Sequence, residues 1–308
     1  MPSCPQPWAE PAIVHILFMG GFDSVSSGNR NRADGWKYAK ASGHENEILL
    51  VQCLKSPEGM SALAQRVGVS APGGSVEMAH AGKSEVGVPS ILGDTTKSKA
   101  DVRVSWSGVE STSQISVKKS EGGQVFLITV ERFLEGFGRH FSAVPPDVAR
   151  GLSLFIGGSD ESDEALNNVT PYDSRIRAME TRYQSRMVWE TLQRFDKRIA
   201  RALLEWLTDS IGEICEFCFS RGLAADHQDW ADFLWYRNLV DPDSQDLDSV
   251  VAVDDLKLAV ANNGGLVAPG SRNGGSTIHM PFGWLQYHQG QIQFHHKLGS
   301  ISAITPIR

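Results

Sequence analysis

Two neighbouring segments alternate apolar and polar residues in the way half-buried β-strands do. Residues 101–106 read DVRVSW and residues 114–119 read QISVKK, with the turn-like sequence SGVESTS between them. A period of two residues is typical of a strand with one buried face. The pattern therefore predicts two strands joined in a hairpin centred near residue 110.

Three polar side chains converge if this hairpin forms. On the second strand Ser116 and Lys118 share one face, and Lys119 points to the other, because side chains alternate. Asp101 falls across from residues 117–119 and lies diagonally next to Lys118. The spacing thus predicts a carboxylate, a lysine and a hydroxyl on one face.

A helix is predicted after the SEGG sequence, from an apolar stripe at helical spacing: Phe126, Val130, Phe133 and Phe137. At about 100° per residue, Gln124, Glu131 and Glu135 fall on one polar stripe of that helix. We expect this stripe to face the strand that carries Lys118.

The remaining pattern divides the chain further. The apolar runs at 12–19 and 47–54 are typical of buried strands, residues 174–220 have helical periodicity, and residues 262–308 are again glycine-rich and β-like. We expect a mixed α/β (α+β) fold with a central mixed β-sheet flanked by helices. Residues 1–160 form its core, 161–245 a helical region and 246–308 a C-terminal β-rich segment, and all three could belong to one compact domain.

Composition sets limits on function. The chain has 308 residues, 41% of them hydrophobic, and a net charge of −7, which argues against DNA binding by bulk positive charge. We find no membrane-length apolar run and no signal peptide, and the four cysteines do not suggest a disulfide framework. We therefore expect a cytoplasmic protein that does not bind a membrane.

A local excess of basic residues is the exception to this acidity. It consists of Arg175, Arg177, Arg182, Arg186, Arg194, Lys197, Arg198 and Arg201. Such a run could contact phosphates, or it could be a solvated helix face with ion pairs.

The convergent polar side chains suit metal-dependent phosphodiester hydrolysis. Carboxylates hold a hard cation such as Mg²⁺, which neutralises phosphate charge and lowers the pKa of a bound water. A lysine near the scissile phosphate can orient the water or stabilise the developing charge. A surface hairpin with an unrelated Asp and Lys is the alternative.

The stretch KADVRV…ISVKKS…VERF resembles the nuclease core of type II restriction endonucleases of the PD-(D/E)XK superfamily. The resemblance covers about 45 residues. It implies a restriction-endonuclease-like core in which Asp101 binds metal and Lys118 is catalytic. Ser116 stands where the family usually has a second acid. Ala100 replaces the usual proline, which takes no part in the chemistry.

The serine is similar to a subgroup that cuts CCGG- and CCNGG-type sites, in which a glutamate on the following helix supplies the missing carboxylate. This resemblance implies Glu131 as the second metal ligand. Glu135, or the upstream Glu77 or Glu85, could complete the metal shell instead. The subgroup's guanine-reading arginine cluster is absent, because KSEGGQ stands at that position, so the recognition sequence cannot be transferred.

The C-terminal segment is a candidate for base recognition. The sequence STIHMPFGWLQYHQGQIQFHHKL predicts a strand, a tight turn near residues 288–290 and a returning strand. Glutamine can read adenine edges, and a two-stranded ribbon fits the major groove. Alternatively, these residues line an exposed hairpin. The candidate DNA-binding residues are Arg272, Asn273, His279, His288, Gln291, Gln293 and His295.

These observations predict a sequence-specific, Mg²⁺-dependent endonuclease that cleaves double-stranded DNA. A homodimer is expected because enzymes of this kind cut both strands of symmetric sites. A modification-dependent or repair nuclease on the same core is one alternative. A non-catalytic DNA-binding protein built on the basic run and the C-terminal hairpin is another.

Overall fold

The computed structural model describes residues 32–70, 73–78, 87–157, 159–168, 187–240, 247–270 and 275–308. Its helices are α1 (Arg32–Leu54), α2 (Pro57–Val67), α3 (Val130–His140), α4 (Pro146–Ile156), α5 (Asp160–Asn168), α6 (Trp189–Phe195), α7 (Lys197–Asp209), α8 (Ile211–Glu216), α9 (Val253–Asn262) and α10 (Leu298–Ser302). Its strands are β1 (Gly74–Met78), β2 (Val88–Pro89), β3 (Thr95–Thr96), β4 (Val102–Trp106), β5 (Thr112–Lys118), β6 (Gly122–Thr129), β7 (Phe233–Arg237), β8 (Asp248–Ala252), β9 (Ala268–Pro269), β10 (Thr277–Met280), β11 (Gly283–His288) and β12 (Gln291–Lys297).

A five-stranded central sheet has the order β1-β4-β5-β7-β8. Strands β5 and β7 are parallel, and every other pair in this sheet is antiparallel. Helices α1 and α2 cover one face, where Leu50 and Leu63 pack with Val102 and Ile115 in one apolar cluster. The mixed α/β class, with a central mixed sheet flanked by helices, is therefore confirmed.

A second five-stranded sheet has the order β6-β12-β11-β10-β9, and all of its pairs are antiparallel. One face belongs to the larger apolar core, to which Leu285, Ile292 and Phe294 contribute together with helices α3 to α9. Strand β6 follows β5 after only residues 119–121. The chain therefore passes directly from the central sheet into the second sheet.

The helical region was predicted correctly from Trp189 to Glu216, which α6, α7 and α8 cover. Asp196 caps α7, because its side chain accepts hydrogen bonds from the backbone N–H groups of Arg198 and Ile199 at 3.0 and 3.1 Å. The predicted residues 169–186 lie outside the described part of the chain. Strands from the three predicted regions interleave, since β7 pairs with β5 and β12 pairs with β6.

The hairpin β4–β5 forms, but its register differs from the expected one. Val102 is opposite Ile115 and Ser105 is opposite Thr112. Continuing this register places Asp101 opposite Ser116 and not opposite residues 117–119. The strand pattern fixes which face each residue takes, but the loop length that the turn sequence adopts sets the register.

The helix predicted to begin after SEGG begins later, at Val130. Residues 122–129 form strand β6, which pairs with β12, so Gln124 and Phe126 lie on a strand. The helix starts where the Thr129 hydroxyl accepts a hydrogen bond from the Arg132 N–H at 3.4 Å. The apolar spacing continues by chance across the junction, and pairing with a strand distant in sequence decides the conformation.

The run at 47–54 is also different from the prediction, because it forms the end of α1 and not a strand. Its buried residues Leu50, Val51 and Leu54 fit one face of a helix. A short apolar run cannot be assigned to helix or strand by periodicity alone. The run at 12–19 lies outside the described residues. Among the helices that the structure describes, none is long and apolar enough to cross a membrane.

Candidate active site

The structure brings Asp101, Ser116 and Lys118 together. The Lys118 ammonium donates a hydrogen bond to the Ser116 hydroxyl at 2.6 Å, and that hydroxyl donates to the Asp101 carboxylate at 3.1 Å. The backbone N–H of Val117 donates to the same carboxylate oxygen at 2.7 Å. Ser116 is buried, so the three side chains form one fixed chain of hydrogen bonds.

Strand pairing explains this arrangement. The Asp101 N–H donates to the carbonyl of Ile115 at 2.9 Å, which extends the β4–β5 ladder by one residue. Lys118 is opposite Tyr236 on the parallel strand β7. The site therefore lies at the end of β5, held between β4 and β7.

Glu47 of α1 is a fourth member of the site that the sequence analysis missed. Burial and, to a smaller extent, the charge of Asp101 raise the pKa of Glu47 to about 8, against the opposite effect of Lys118. The Nδ1 atom of His44 lies 3.2 Å from the Glu47 carboxylate. Because Glu47 and Asp101 repel each other, a cation between them would be stabilised by both.

Burial lowers the pKa of Lys118, whereas the charges of Asp101 and Glu47 act in the opposite direction. Both carboxylates therefore lie within electrostatic reach of this ammonium group. The site contains opposite charges in a partly desolvated setting, where electrostatic interactions are stronger than in water.

Glu131 occupies a different position from Glu47. It lies in the first turn of α3 and is exposed, and it is not one of the groups that shift the pKa of Lys118 or Glu47. Glu135 forms an ion pair with Arg139 at 2.5 Å. Because β6 is a strand, Gln124 does not share a helical stripe with these glutamates. The side chain of Glu77 and all of Glu85 lie outside the described residues.

A second lysine, Lys99, lies beside the site and was also missed. Its ammonium donates to the Cys218 carbonyl at 2.6 Å and lies 3.7 Å from the centre of the Phe126 ring. Burial lowers the pKa of Lys99 to about 7, the Cys218 thiol and Asp101 raise it, and Lys118 lowers it. The π-helical turn Phe217–Arg221 presents this carbonyl. Nothing in the local sequence indicates that contact.

His296 links the site to the second sheet. Its Nδ1 atom is 3.1 Å from the Tyr236 hydroxyl. Burial lowers the pKa of His296 to about 3, and Lys118 and His295 add to that effect. The imidazole is therefore neutral at physiological pH and belongs to the wall of the site.

The C-terminal hairpin forms as predicted. Strands β11 and β12 are joined by Gln289 and Gly290, whose φ angles are 52° and 75°, and His288 is opposite Gln291. Two positive φ angles are typical of a type I′ turn, which suits the twist of a hairpin.

The remaining candidate DNA-binding residues have varied environments. His279 on β10 is exposed, Gln293 is buried, and His295 stacks on Trp284 with ring centres 4.6 Å apart. Burial, together with His288, lowers the pKa of His295 to about 4. Arg272 and Asn273 lie outside the described residues.

Two of the described residues in the basic run form ion pairs. Arg198 forms an ion pair with Asp147, and Arg194 forms one with Glu190 at 3.7 Å. These contacts fit the solvated-face interpretation. Arg175, Arg177, Arg182 and Arg186 lie outside the described residues.

No family model and no curated protein matches this sequence. The fold is similar to that of a solved structure of the restriction endonuclease MspI in complex with its cognate DNA. The two chains have 14% sequence identity, 76% of each is covered, and the TM-score is 0.39. At this level of similarity the match assigns no substrate and no residue role to the chain.

Proposed function

We propose that this chain is a DNA endonuclease that hydrolyses phosphodiester bonds with Mg²⁺ as cofactor. The observation that carries the proposal is the hydrogen-bonded chain Lys118–Ser116–Asp101, with the carboxylate of Glu47 within electrostatic reach. It combines acids, a hydroxyl and a lysine, the groups that such hydrolysis requires. The sequence resemblance to PD-(D/E)XK enzymes independently selects three of these four residues.

The donor set fits a divalent cation that prefers oxygen. Within the described residues there is no group of three or more His, Cys, Asp and Glu side chains that could hold a metal. Mg²⁺, however, is usually bound by one or two carboxylates, with water and substrate phosphate completing the shell. Asp101 and Glu47 would be those carboxylates, and Glu131 stays the alternative to Glu47.

The cation would offset the phosphate charge and lower the pKa of a water molecule. Two side chains of the protein would provide the other contributions, a positive charge and the hydrogen bonds that orient it. Lys118 holds a positive charge at the end of β5, where it can orient the attacking water or stabilise the negative charge that develops on the phosphate. The Ser116 hydroxyl orients both that ammonium group and the Asp101 carboxylate.

Sequence-specific cleavage of double-stranded DNA, as in a type II restriction enzyme, is the finer part of the proposal. The resemblance at 92–135 and the hydrogen-bonding side chains of the C-terminal hairpin support it. A homodimer would place two such sites on the two strands of a symmetric sequence. Sedimentation of the protein with and without a bound duplex would test the dimer.

A supercoiled plasmid incubated with the protein tests the proposed activity. We expect discrete fragments with Mg²⁺, no cleavage with EDTA, and no cleavage by Asp101→Asn under either condition. Nicking, or cleavage only of methylated plasmid, would favour the modification-dependent or repair alternative. A gel shift without cleavage at any Mg²⁺ concentration would contradict the nuclease and favour a non-catalytic DNA-binding protein.

A further inference from the structure

Three glutamines on three neighbouring strands of the second sheet form one hydrogen-bonded row. The Gln286 amide nitrogen donates to the Gln293 oxygen at 2.7 Å, and the Gln293 nitrogen donates to the Gln124 oxygen at 2.7 Å. Gln286 is directly opposite Gln293 in the β11–β12 register. The row therefore runs across the strands, from β11 through β12 to β6.

This row lies on the face of the sheet that points away from the larger core. Leu285 and Ile292, whose side chains point to the opposite face, are fully buried. At the centre of the open face lie Gln124, His279, Trp284, Gln286, Gln293 and His295, and we call this group the amide face. By alternation, Thr277, His288, Gln291 and Lys297 lie on the same side, at its margins. Gln124 and His279 are exposed on it.

An aromatic stack holds the row in place. The rings of Trp284 and His295 are nearly parallel, at 8°, with centres 4.6 Å apart. The His295 Nε2 atom lies 3.3 Å from the Gln286 amide nitrogen. Side chains fixed by packing and by hydrogen bonds to one another are pre-organised to bind a ligand.

The hydrogen bonds of the row all run in one direction, from Gln286 through Gln293 to Gln124. Within the described residues, the carboxamide oxygen of Gln286 has no partner at one end, and the carboxamide nitrogen of Gln124 has none at the other. The ends thus present one acceptor and one donor. Gln124 is opposite His295, two residues along β12 from Gln293. Two strand spacings across and two residues along separate the ends by about 12 Å, which equals three to four base steps of about 3.4 Å along DNA.

The side chains of the amide face suit contacts with bases better than contacts with phosphates. None of its six side chains is a lysine, an arginine or a carboxylate, although phosphate contacts in protein–DNA complexes depend strongly on Lys and Arg. Carboxamides, by contrast, pair with base edges in the major groove. Lys297 is exposed two residues beyond His295, at the margin where a phosphate contact would be expected.

Strands β6 and β12 connect the amide face with the candidate active site through the backbone. Gln124 follows Lys118 along the chain after the short 119–121 connection. On β12, His295 faces the open side, and the next residue, His296, lies within electrostatic reach of Lys118.

We propose that the amide face reads base edges of duplex DNA. Gln286 would accept from the amino group of adenine or cytosine, and Gln124 would donate to a purine N7, to guanine O6 or to thymine O4, three to four base steps away. This inference rests on the proposed function for the identity of the polymer. It assigns recognition to Gln124 and Gln286, neither of which is in the predicted set of DNA-binding residues.

Selection from a pool of duplexes with a randomised centre tests this proposal, in EDTA so that binding is measured without cleavage. We expect the wild-type protein to enrich a motif. Gln286→Met should reduce discrimination at one position of that motif about tenfold or more, because a side chain–base contact is lost. Gln65→Met, at an exposed position on α2, is the matched control and should select the wild-type motif.

A second variant separates reading from electrostatic contact. Lys297→Ala should weaken binding to all duplexes alike and reduce the slope of log K against log salt by about 1. Gln286→Met should leave that slope unchanged.

Unchanged base preferences in both Gln286→Met and Gln124→Ala would overturn the inference, even if the wild-type protein cleaves plasmid. Tighter binding to single strands than to duplexes would also overturn it. Base selection that depends on Gln286 without any cleavage would support the inference while contradicting the proposed function.

Discussion

The two sheets differ in what they present to a ligand. The central sheet brings together a carboxylate, a hydroxyl and an ammonium at the end of β5, partly desolvated and with a further acid, Glu47, nearby. The second sheet presents carboxamides and a neutral imidazole on an open face, with their hydrogen bonds directed along the row. Charges suit the stabilisation of a reacting phosphate, whereas neutral donors and acceptors suit discrimination between bases. On the proposed function, the central sheet would carry cleavage and the second sheet recognition. Each of the following variants tests one side of this comparison.

The largest expected effect is on catalysis, from Lys118→Ala. Removing the ammonium should slow single-turnover cleavage about a thousandfold, because a group that stabilises the transition state is lost. Binding of duplex in EDTA should stay close to that of the wild type. Lys119→Ala is the control, because Lys119 lies beyond the end of β5. If Lys118→Ala were active and Lys119→Ala inactive, the catalytic lysine would be Lys119, and our assignment of Lys118 would be wrong.

Leu285→Ala should lower the free energy of unfolding by about 3 kcal/mol, since it removes a fully buried side chain from the core face of β11. Urea unfolding measures the change. The adjacent Gln286 points to the open face, and Gln286→Met removes only the donor to the Gln293 oxygen, so it should lower stability less, by about 1 kcal/mol. Equal losses in the two variants would show that the amide face is part of the core and not a recognition surface.

Glu47→Gln should reduce Mg²⁺-dependent cleavage about a hundredfold, because it removes a carboxyl group that would lose its proton and hold the cation beside Asp101. Glu131→Gln is the paired variant and should keep most of the activity if Glu47 is the second ligand. The reverse result, with Glu131→Gln inactive and Glu47→Gln active, would restore the relocated glutamate on α3. Full activity in both would remove both carboxylates from the metal-binding proposal.

The same Glu47 variant has a signature in stability that does not depend on activity. The pKa of Glu47 is raised to about 8 in the folded chain, so the folded state binds more protons than the unfolded state between about pH 4.5 and 8. Stability without metal therefore falls as pH rises through this window. In EDTA, Glu47→Gln should melt at a higher temperature than the wild type at pH 8 and show a smaller difference at pH 4.5.

The smallest effect is expected from Ser116→Ala, with cleavage slowed about tenfold. The hydroxyl positions Lys118 and Asp101, but Asp101 keeps its hydrogen bond from the Val117 N–H. Single-turnover rates at saturating Mg²⁺ measure the change. A loss as large as that of Lys118→Ala would give Ser116 a direct part in the chemistry.

The sequence predicted those parts of the site that depend on local alternation. The strand pattern at 101–106 and 114–118 is sufficient to place Ser116 and Lys118 on one face, and the type I′ turn after His288 follows from two adjacent residues. The predicted register of the β4–β5 hairpin was wrong, because the sequence between the strands is compatible with several loop lengths.

Long-range contacts explain what the sequence did not predict. The apolar pattern of the run that contains Glu47 is compatible with a helix and with a strand. Packing against the central sheet decides that it is a helix. Strand β6 was predicted as a helix because its partner β12 lies far along the chain. The position of the Lys99 ammonium depends on a carbonyl group in a π-helical turn, and no residue pattern predicts that turn.

The parallel pairing of β5 with β7 has a consequence for synthesis of the chain. Strand β5 is translated more than a hundred residues before β7, which borders it, and β12, which supports β6, is translated later still. Contacts between distant segments form late and limit the rate of folding. A ribosome-bound chain truncated before Phe233 should therefore lack a completed site. We expect the candidate site to be complete only after β7 and β12 have both been translated.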